Sequence, residues 1–126
     1  MRYLILVTAF ACSAVSASPI NITCNGSGLD GRGRVATAGI MTLGFEFDPQ
    51  AQTMFITQGA PERKQLRSVV ITDGLASGTD GEWIYEINRI DGTATLRPPP
   101  DSEAGRKGLL GDFYRGNCTV RGTAKF

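Results

Sequence analysis

Apolar and polar residues take turns along most of this chain. Ile20, Ile22 and Cys24 fall on one face of an extended segment, and Asn21, Thr23 and Asn25 fall on the other, the two-residue period of a half-buried strand. Gly26 to Gly33 reads as a glycine-rich loop. Val35 to Asp48 reads as a long second strand, with Met41, Leu43, Phe45 and Phe47 opposed to Thr42, Gly44 and Glu46. Asp48-Pro49-Gln50-Ala51 carries turn chemistry, because proline presets φ and aspartate accepts backbone hydrogen bonds. The chain then returns through Thr53 to Thr57. Gln58 to Arg67 is expected as a polar loop, Ser68 to Thr72 as a strand, and Asp73 to Gly81 as a turn-rich stretch.

The clearest hairpin runs from Trp83 to Ile90, through Asp91-Gly92, and out along Thr93 to Arg97. Asp-Gly favours a two-residue type I′ turn. That turn would set Ile90 opposite Thr93, Ile87 opposite Leu96 and Glu86 opposite Arg97. Pro98-Pro99-Pro100 ends the strand, since proline cannot donate to a ladder. A polar loop to Gly108 and final strands over Leu109–Tyr114 and Gly116–Arg121 complete the reading. Pro61 to Arg67 is the one stretch with a helical alternative, and it is too short to matter. The pattern predicts an all-β fold: a small antiparallel barrel or compact sandwich of six to eight strands in mostly sequential order.

The first residues do not belong to that pattern. Arg2 is followed by an apolar run from Leu4 to Cys12, then small residues from Ser13 to Ala17, then Ser18-Pro19. This is the layout of a secretory signal peptide over residues 1–17, with Val15 and Ala17 at the cleavage positions. The run is too short to span a membrane, which takes about 20 apolar residues. Cleavage ahead of an acylated Cys12 is the rival reading, but bulky Phe10 and the absence of leucine at Ala9 speak against it. The expected mature protein is a single β domain over 18–126, secreted or periplasmic, without a transmembrane segment.

Export changes the meaning of the cysteines. Loss of the leader leaves Cys24 and Cys118, an even number in an oxidising compartment. They lie near the two ends of the mature chain, so a Cys24–Cys118 disulfide would enclose almost all of it and join first strand to last. In the chain-entropy account a loop on the order of 100 residues contributes roughly 4 to 5 kcal/mol.

Charge and composition mostly exclude. The chain has 13 basic and 12 acidic residues and no histidine, and without Arg2 it is formally neutral. A neutral surface lacks the basic footprint of nucleic-acid binding. Arg63-Lys64 and Arg106-Lys107, the adjacent basic pairs, fall in expected loops and read as solvated surface. Without histidine the commonest general base and the Ser-His-acid arrangement are missing, and two isolated cysteines are too few soft ligands for zinc. No catalytic residue, metal site or cofactor is therefore assigned. Gly26-Ser27-Gly28-Leu29-Asp30-Gly31 matches a dinucleotide-binding pattern only in letters, because no helix start follows it. Asp73, Asp80 and Glu82 among glycines do not have the spacing of a calcium loop.

Asn21, Asn25 and Asn117 each head an Asn-x-Ser/Thr triplet and would be glycan acceptors in a eukaryotic secretory pathway. Trp83, Tyr85, Ile87 and Arg89 share one strand face. Most of that face belongs in the core, with Arg89 at its edge near the hairpin tip, and Trp83, Tyr85 and Arg89 are the binding candidates it offers.

The segment Tyr85-Glu86-Ile87-Asn88-Arg89-Ile90-Asp91-Gly92, with the late Gly116-Asn117-Cys118, resembles small secreted one-disulfide bacterial β-proteins of unknown function. The arrangement is distantly similar to periplasmic inhibitors of c-type lysozyme, which insert a Ser-Gly-x-x-Tyr loop into the lysozyme cleft. Ser77-Gly78 matches the start of that motif, with Gly81 where the family has tyrosine. The expected function is a noncatalytic secreted or periplasmic protein, a monomer in an envelope-associated binding or structural role, its partner an unidentified protein or envelope component. The alternative is a proteinaceous inhibitor of a cell-wall hydrolase, with Ser77 near the tip of a loop over Asp73–Gly81.

Overall fold

A computed structural model describes residues 19–32, 34–36, 39–60, 62–108, 111–121 and 126. The leader over 1–17 and the expected strand start at Leu109 lie outside the described residues. Nine strands form one antiparallel sheet: β1 (Ile20–Gly28), β2 (Met41–Asp48), β3 (Thr53–Gln58), β4 (Lys64–Gln65), β5 (Arg67–Ile71), β6 (Leu75–Thr79), β7 (Ile84–Asn88), β8 (Thr93–Arg97) and β9 (Tyr114–Arg121). Their order across the sheet is β4-β3-β2-β1-β9-β8-β7-β6-β5. Curled on itself, this is a nearly closed barrel with one more strand than the upper expectation. No helix among the described residues is long and apolar enough to cross a membrane.

First and last strands are neighbours, as the cysteine positions predict. Cys24 and Cys118 stand directly opposite each other in the β1–β9 ladder, their Cα atoms 3.9 Å apart and their sulfurs bonded. The Cys118 amide donates away from β1, to the Gly92 carbonyl at 2.7 Å. The pair therefore sits where the ladder has no hydrogen bond and the two backbones run closest.

The barrel's seam is elsewhere, between β3 and the strand that passes from β4 to β5. At one end Leu66, buried between these two short strands, donates to the Met54 carbonyl at 2.8 Å. At the other end a side chain completes the closure. The Gln52 amide donates to the Ile71 carbonyl at 3.0 Å, and its oxygen accepts the Ile71 amide at 2.9 Å. One side chain thus makes both bonds that a paired strand residue would make.

Inward positions carry the core: Ile22, Cys24, Phe45, Phe47, Met54, Ile56, Ile87 and Tyr114 are all but inaccessible. Tyr114 lies along the interior over Gly116, where an added Cβ would come 2.4 Å from its hydroxyl. That hydroxyl donates between the carbonyls of Met41 and Cys24, at 3.0 and 3.3 Å. Its raised pKa follows from burial.

Several expected boundaries move. The loop expected from Gly26 does not begin there, since β1 runs to Gly28 and Leu29 still bridges Val35. The second strand starts at Met41, not Val35. The expected polar loop Gln58–Arg67 contains β4, which pairs Lys64 with Ile56 and Gln65 with Phe55. The turn-rich stretch Asp73–Gly81 is mostly β6, whose alternation of Ala76 and Gly78 inward was masked by small residues. A one-turn helix, α1 (Glu103–Arg106), interrupts the expected loop after the prolines, with Ser102 Oγ accepting the Gly105 amide at 3.1 Å as its cap. The expected strand Gly116–Arg121 is β9, which begins two residues earlier at Tyr114, while residues 111–113 are not strand.

The hairpin register also differs. Asn88 faces Thr93, Ile87 faces Ala94 and Glu86 faces Thr95, so the connection has four residues rather than two. Asn88 decides this: its side-chain oxygen accepts the Ile90 and Asp91 amides, and its carbonyl accepts the Gly92 amide at 2.9 Å. Only Gly92 then needs positive φ, 73°. The slip is two residues along one strand, so every side chain keeps its face, and Glu86 still pairs with Arg97 diagonally.

Candidate functional site

The barrel has two unlike ends. Turns 49–52, 72–74 and 89–92 gather at one. There Arg89 lies 5.4 Å over the Phe47 ring and donates to the Thr72 carbonyl, and the Gln52 bridge lies at the same end. The other end, here called the rim, collects the end of β1, the start of β2, Gly59-Ala60, the β6–β7 connection and Phe113.

At the rim, Asp80 organises the connection from β6 to β7. Its Oδ1 accepts the amides of Glu82 and Trp83, each at 2.8 Å. Thr79 Oγ1 donates to the Trp83 carbonyl at 2.7 Å and accepts the Gly81 amide at 3.0 Å. This fixes the direction of Trp83, whose ring packs against Phe113 with centroids 5.2 Å apart. The other carboxylate oxygen accepts the Tyr85 hydroxyl at 2.9 Å and has Lys64 Nζ 3.8 Å away.

The Asp80 side chain is only 7% exposed. Burial alone would raise its pKa, but the Trp83 and Glu82 amides, the Tyr85 hydroxyl and the Lys64 ammonium outweigh it and hold the group below its ordinary value of 3.8. Tyr85 moves the opposite way: burial first, then its bond to Asp80 and the charges of Asp80 and Glu82, push its pKa well above 10.0. Near neutral pH Asp80 is therefore an anion and Tyr85 a neutral donor.

Behind this polar edge is an apolar cavity of about 330 Å³. Leu29, Met41, Leu43, Ile56 and Leu96 line it, Leu43 and Ile56 being buried and Met41 exposed. Trp83, Tyr85, Phe113 and Tyr114 supply aromatic walls. The volume lies at the lower end of small-molecule sites, which are mostly apolar with a few placed polar groups. Outside it, a cleft lined by Glu62, Lys64, Asp80 and Glu82 shares Gly59, Trp83 and Tyr85 with the cavity, so the two adjoin at these residues. The surface nearby is apolar too: Met41 is 44% and Ile40 76% exposed.

A larger groove lies on the outer face of β1 and β9, lined by Asn25, Ser27, Arg115 and Asn117. Arg115 is already paired with Asp112 at 3.0 Å, and Asn25 accepts the Thr42 hydroxyl. Among the groove's described lining residues Leu29 is the one large apolar side chain.

Of the residues singled out from sequence, the fold brings Trp83 and Tyr85 together and separates them from the rest. Arg89 is four residues past Tyr85, just beyond the end of β7, about 13 Å away at strand rise, and belongs to the opposite end. Ser77 is in the middle of β6, paired with Val70 on one side and Glu86 on the other, so it is not at a loop tip. In the sequence Asp80 reads as an ordinary turn residue and Lys64 as solvated surface, and neither is assigned to a site. The spacing of Asp80, Trp83 and Tyr85 held a signal, because a turn aspartate three residues before an aromatic strand can cap the turn and still reach the strand's second residue. Lys64 meets Asp80 only through the β3–β4 pairing, which no local pattern announces. Comparison with protein-family models, curated proteins and solved structures returns no significant match.

Proposed function

We propose that this chain is an exported, noncatalytic binding protein that holds a small, largely apolar molecule in the cavity at the barrel rim. The observation that carries the reading is the juxtaposition of that cavity with a fixed polar edge. Aliphatic and aromatic side chains from six strands or their flanking loops bound a space of about 330 Å³, and Asp80, Tyr85 and Lys64 stand at one side of it. Apolar walls supply affinity by removing ligand surface from water, roughly 25 cal/mol per Å², while the few polar groups fix orientation. Nothing at this edge is poised for chemistry. Asp80 is a low-pKa anion committed to two amides and a phenol, a poor general base.

Export rests on the leader, and placement in an envelope or extracellular space follows from it, as does oxidation of the cysteines. The inhibitor alternative needs an exposed loop around Ser77, and β6 occupies that segment.

Trp83 is the chain's one tryptophan and lines the cavity, so its emission reports on the site. Titration of the oxidised mature protein with octanol should give a saturable emission change at submillimolar to millimolar concentration. Unchanged emission up to the solubility limit overturns the reading. N-terminal sequencing of the exported form should begin at Ser18; an acylated Cys12 would move the protein to a membrane surface.

A further inference from the structure

We infer that the molecule held at the rim carries a positive charge on its outward end: a protonated amine on a short alkyl or aryl body. The inference rests on the cavity reading and adds the chemistry of the headgroup.

It comes from the cleft that adjoins the cavity at Gly59, Trp83 and Tyr85. Three carboxylates line this cleft, from Glu62, Asp80 and Glu82, against two cations, Arg63 and Lys64. Arg63 is engaged elsewhere, 2.8 Å from Glu46 and stacked 4.0 Å over the Phe55 ring. Lys64 faces Asp80, and Arg67 reaches toward Gly81 from β5 without lining the cleft. Among the described residues, Glu62 and Glu82 have no ion-pair partner. The cleft is thus left with an excess of negative charge at the mouth of an apolar space.

Trp83 adds a second source of attraction. Its ring borders both spaces, and the indole face is the strongest aromatic partner for a cation. An ammonium leaving the cavity would pass the indole and meet Glu82 and Glu62. A carboxylate head would meet the same groups as repulsion. An alkyl amine with a pKa near that of lysine, about 10.4, is charged at neutral pH.

The test compares three ligands of equal chain length, octylamine, octanol and octanoate, on the oxidised mature protein at neutral pH and low salt, read by Trp83 emission. Octylamine should bind at least about threefold tighter than octanol, and octanoate weakest. The Glu62→Gln, Glu82→Gln double variant, both side chains being exposed, should lose most of the amine preference and leave octanol affinity unchanged. Equal binding of all three, or tightest binding by octanoate, overturns the headgroup inference and leaves the cavity reading standing. An amine preference that persists in the double variant overturns the assignment to these carboxylates. Failure of all three to bind removes the cavity reading itself.

Discussion

The Asp80–Tyr85 pair is where single groups most affect both stability and the site. A carboxyl whose pKa is lowered by folding stabilises the native state above its ordinary value of 3.8, and that contribution fades as pH falls through the lower folded value. A phenol whose pKa is raised stabilises the native state below 10.0, and its contribution is lost as pH rises toward the folded value. The pair therefore favours folding most strongly across the whole interval between about pH 5 and pH 9. Asp80→Asn should cost about 1 to 3 kcal/mol in that window, shrinking below about pH 4. Urea unfolding across pH measures it. A difference between wild type and variant that stays constant down to about pH 2 would show that the Asp80 charge is not what stabilises the turn.

At the scale of elements, the barrel depends on a side chain doing a strand's work. Gln52 has φ of 54°, a conformation that suits glycine better. On conformation alone Gln52→Gly should stabilise, but it also removes both bonds to Ile71. Each hydrogen bond is worth about 1 kcal/mol net, so the balance predicts destabilisation and faster exchange of the Ile71 amide. Stabilisation by the glycine would mean the seam holds without the amide. This closure could not be read from the sequence, because it depends on which strands end up flanking the seam. The strands with strong alternation and large residues, β1, β2, β3 and β7, were legible, since burial of one face imposes a period of two, and β8 followed from the hairpin signal ahead of it. β6 was not: Leu75-Ala76-Ser77-Gly78-Thr79 is made of small residues common to turns, and its strand state comes from pairing on both sides. The hairpin register failed locally, where Asn88 outcompeted the Asp-Gly signal.

For the whole molecule, the disulfide ties the sheet at its middle, between first and last strands. The bond was legible from the cysteine count and the export expected from the leader, and its near-terminal positions implied that β1 and β9 meet. The rim site was legible only in part, because Trp83 and Tyr85 stand out while Leu43, Ile56 and Leu96 looked like any core residue. Cys118→Ser leaves a hydroxyl and a thiol in the core, Cys24 and Cys118 being 0% and 8% exposed. Together with a loss of roughly 2 to 4 kcal/mol from the bridge, this should lower the melting temperature by about 10 °C or more at ~4 °C or more per kcal/mol. An unchanged melting temperature would contradict a stabilising bridge.

The central claim is that ligand binds inside the rim rather than on the outer polar face or at the opposite end. Methyl NMR spectra of the oxidised mature protein, recorded with and without octylamine, test it most directly. The account predicts saturable shifts at Leu29, Met41, Leu43, Ile56 and Leu96, with Ile20 and Ile71 at the opposite end unmoved. Shifts confined to that opposite end, or none at all, would contradict it.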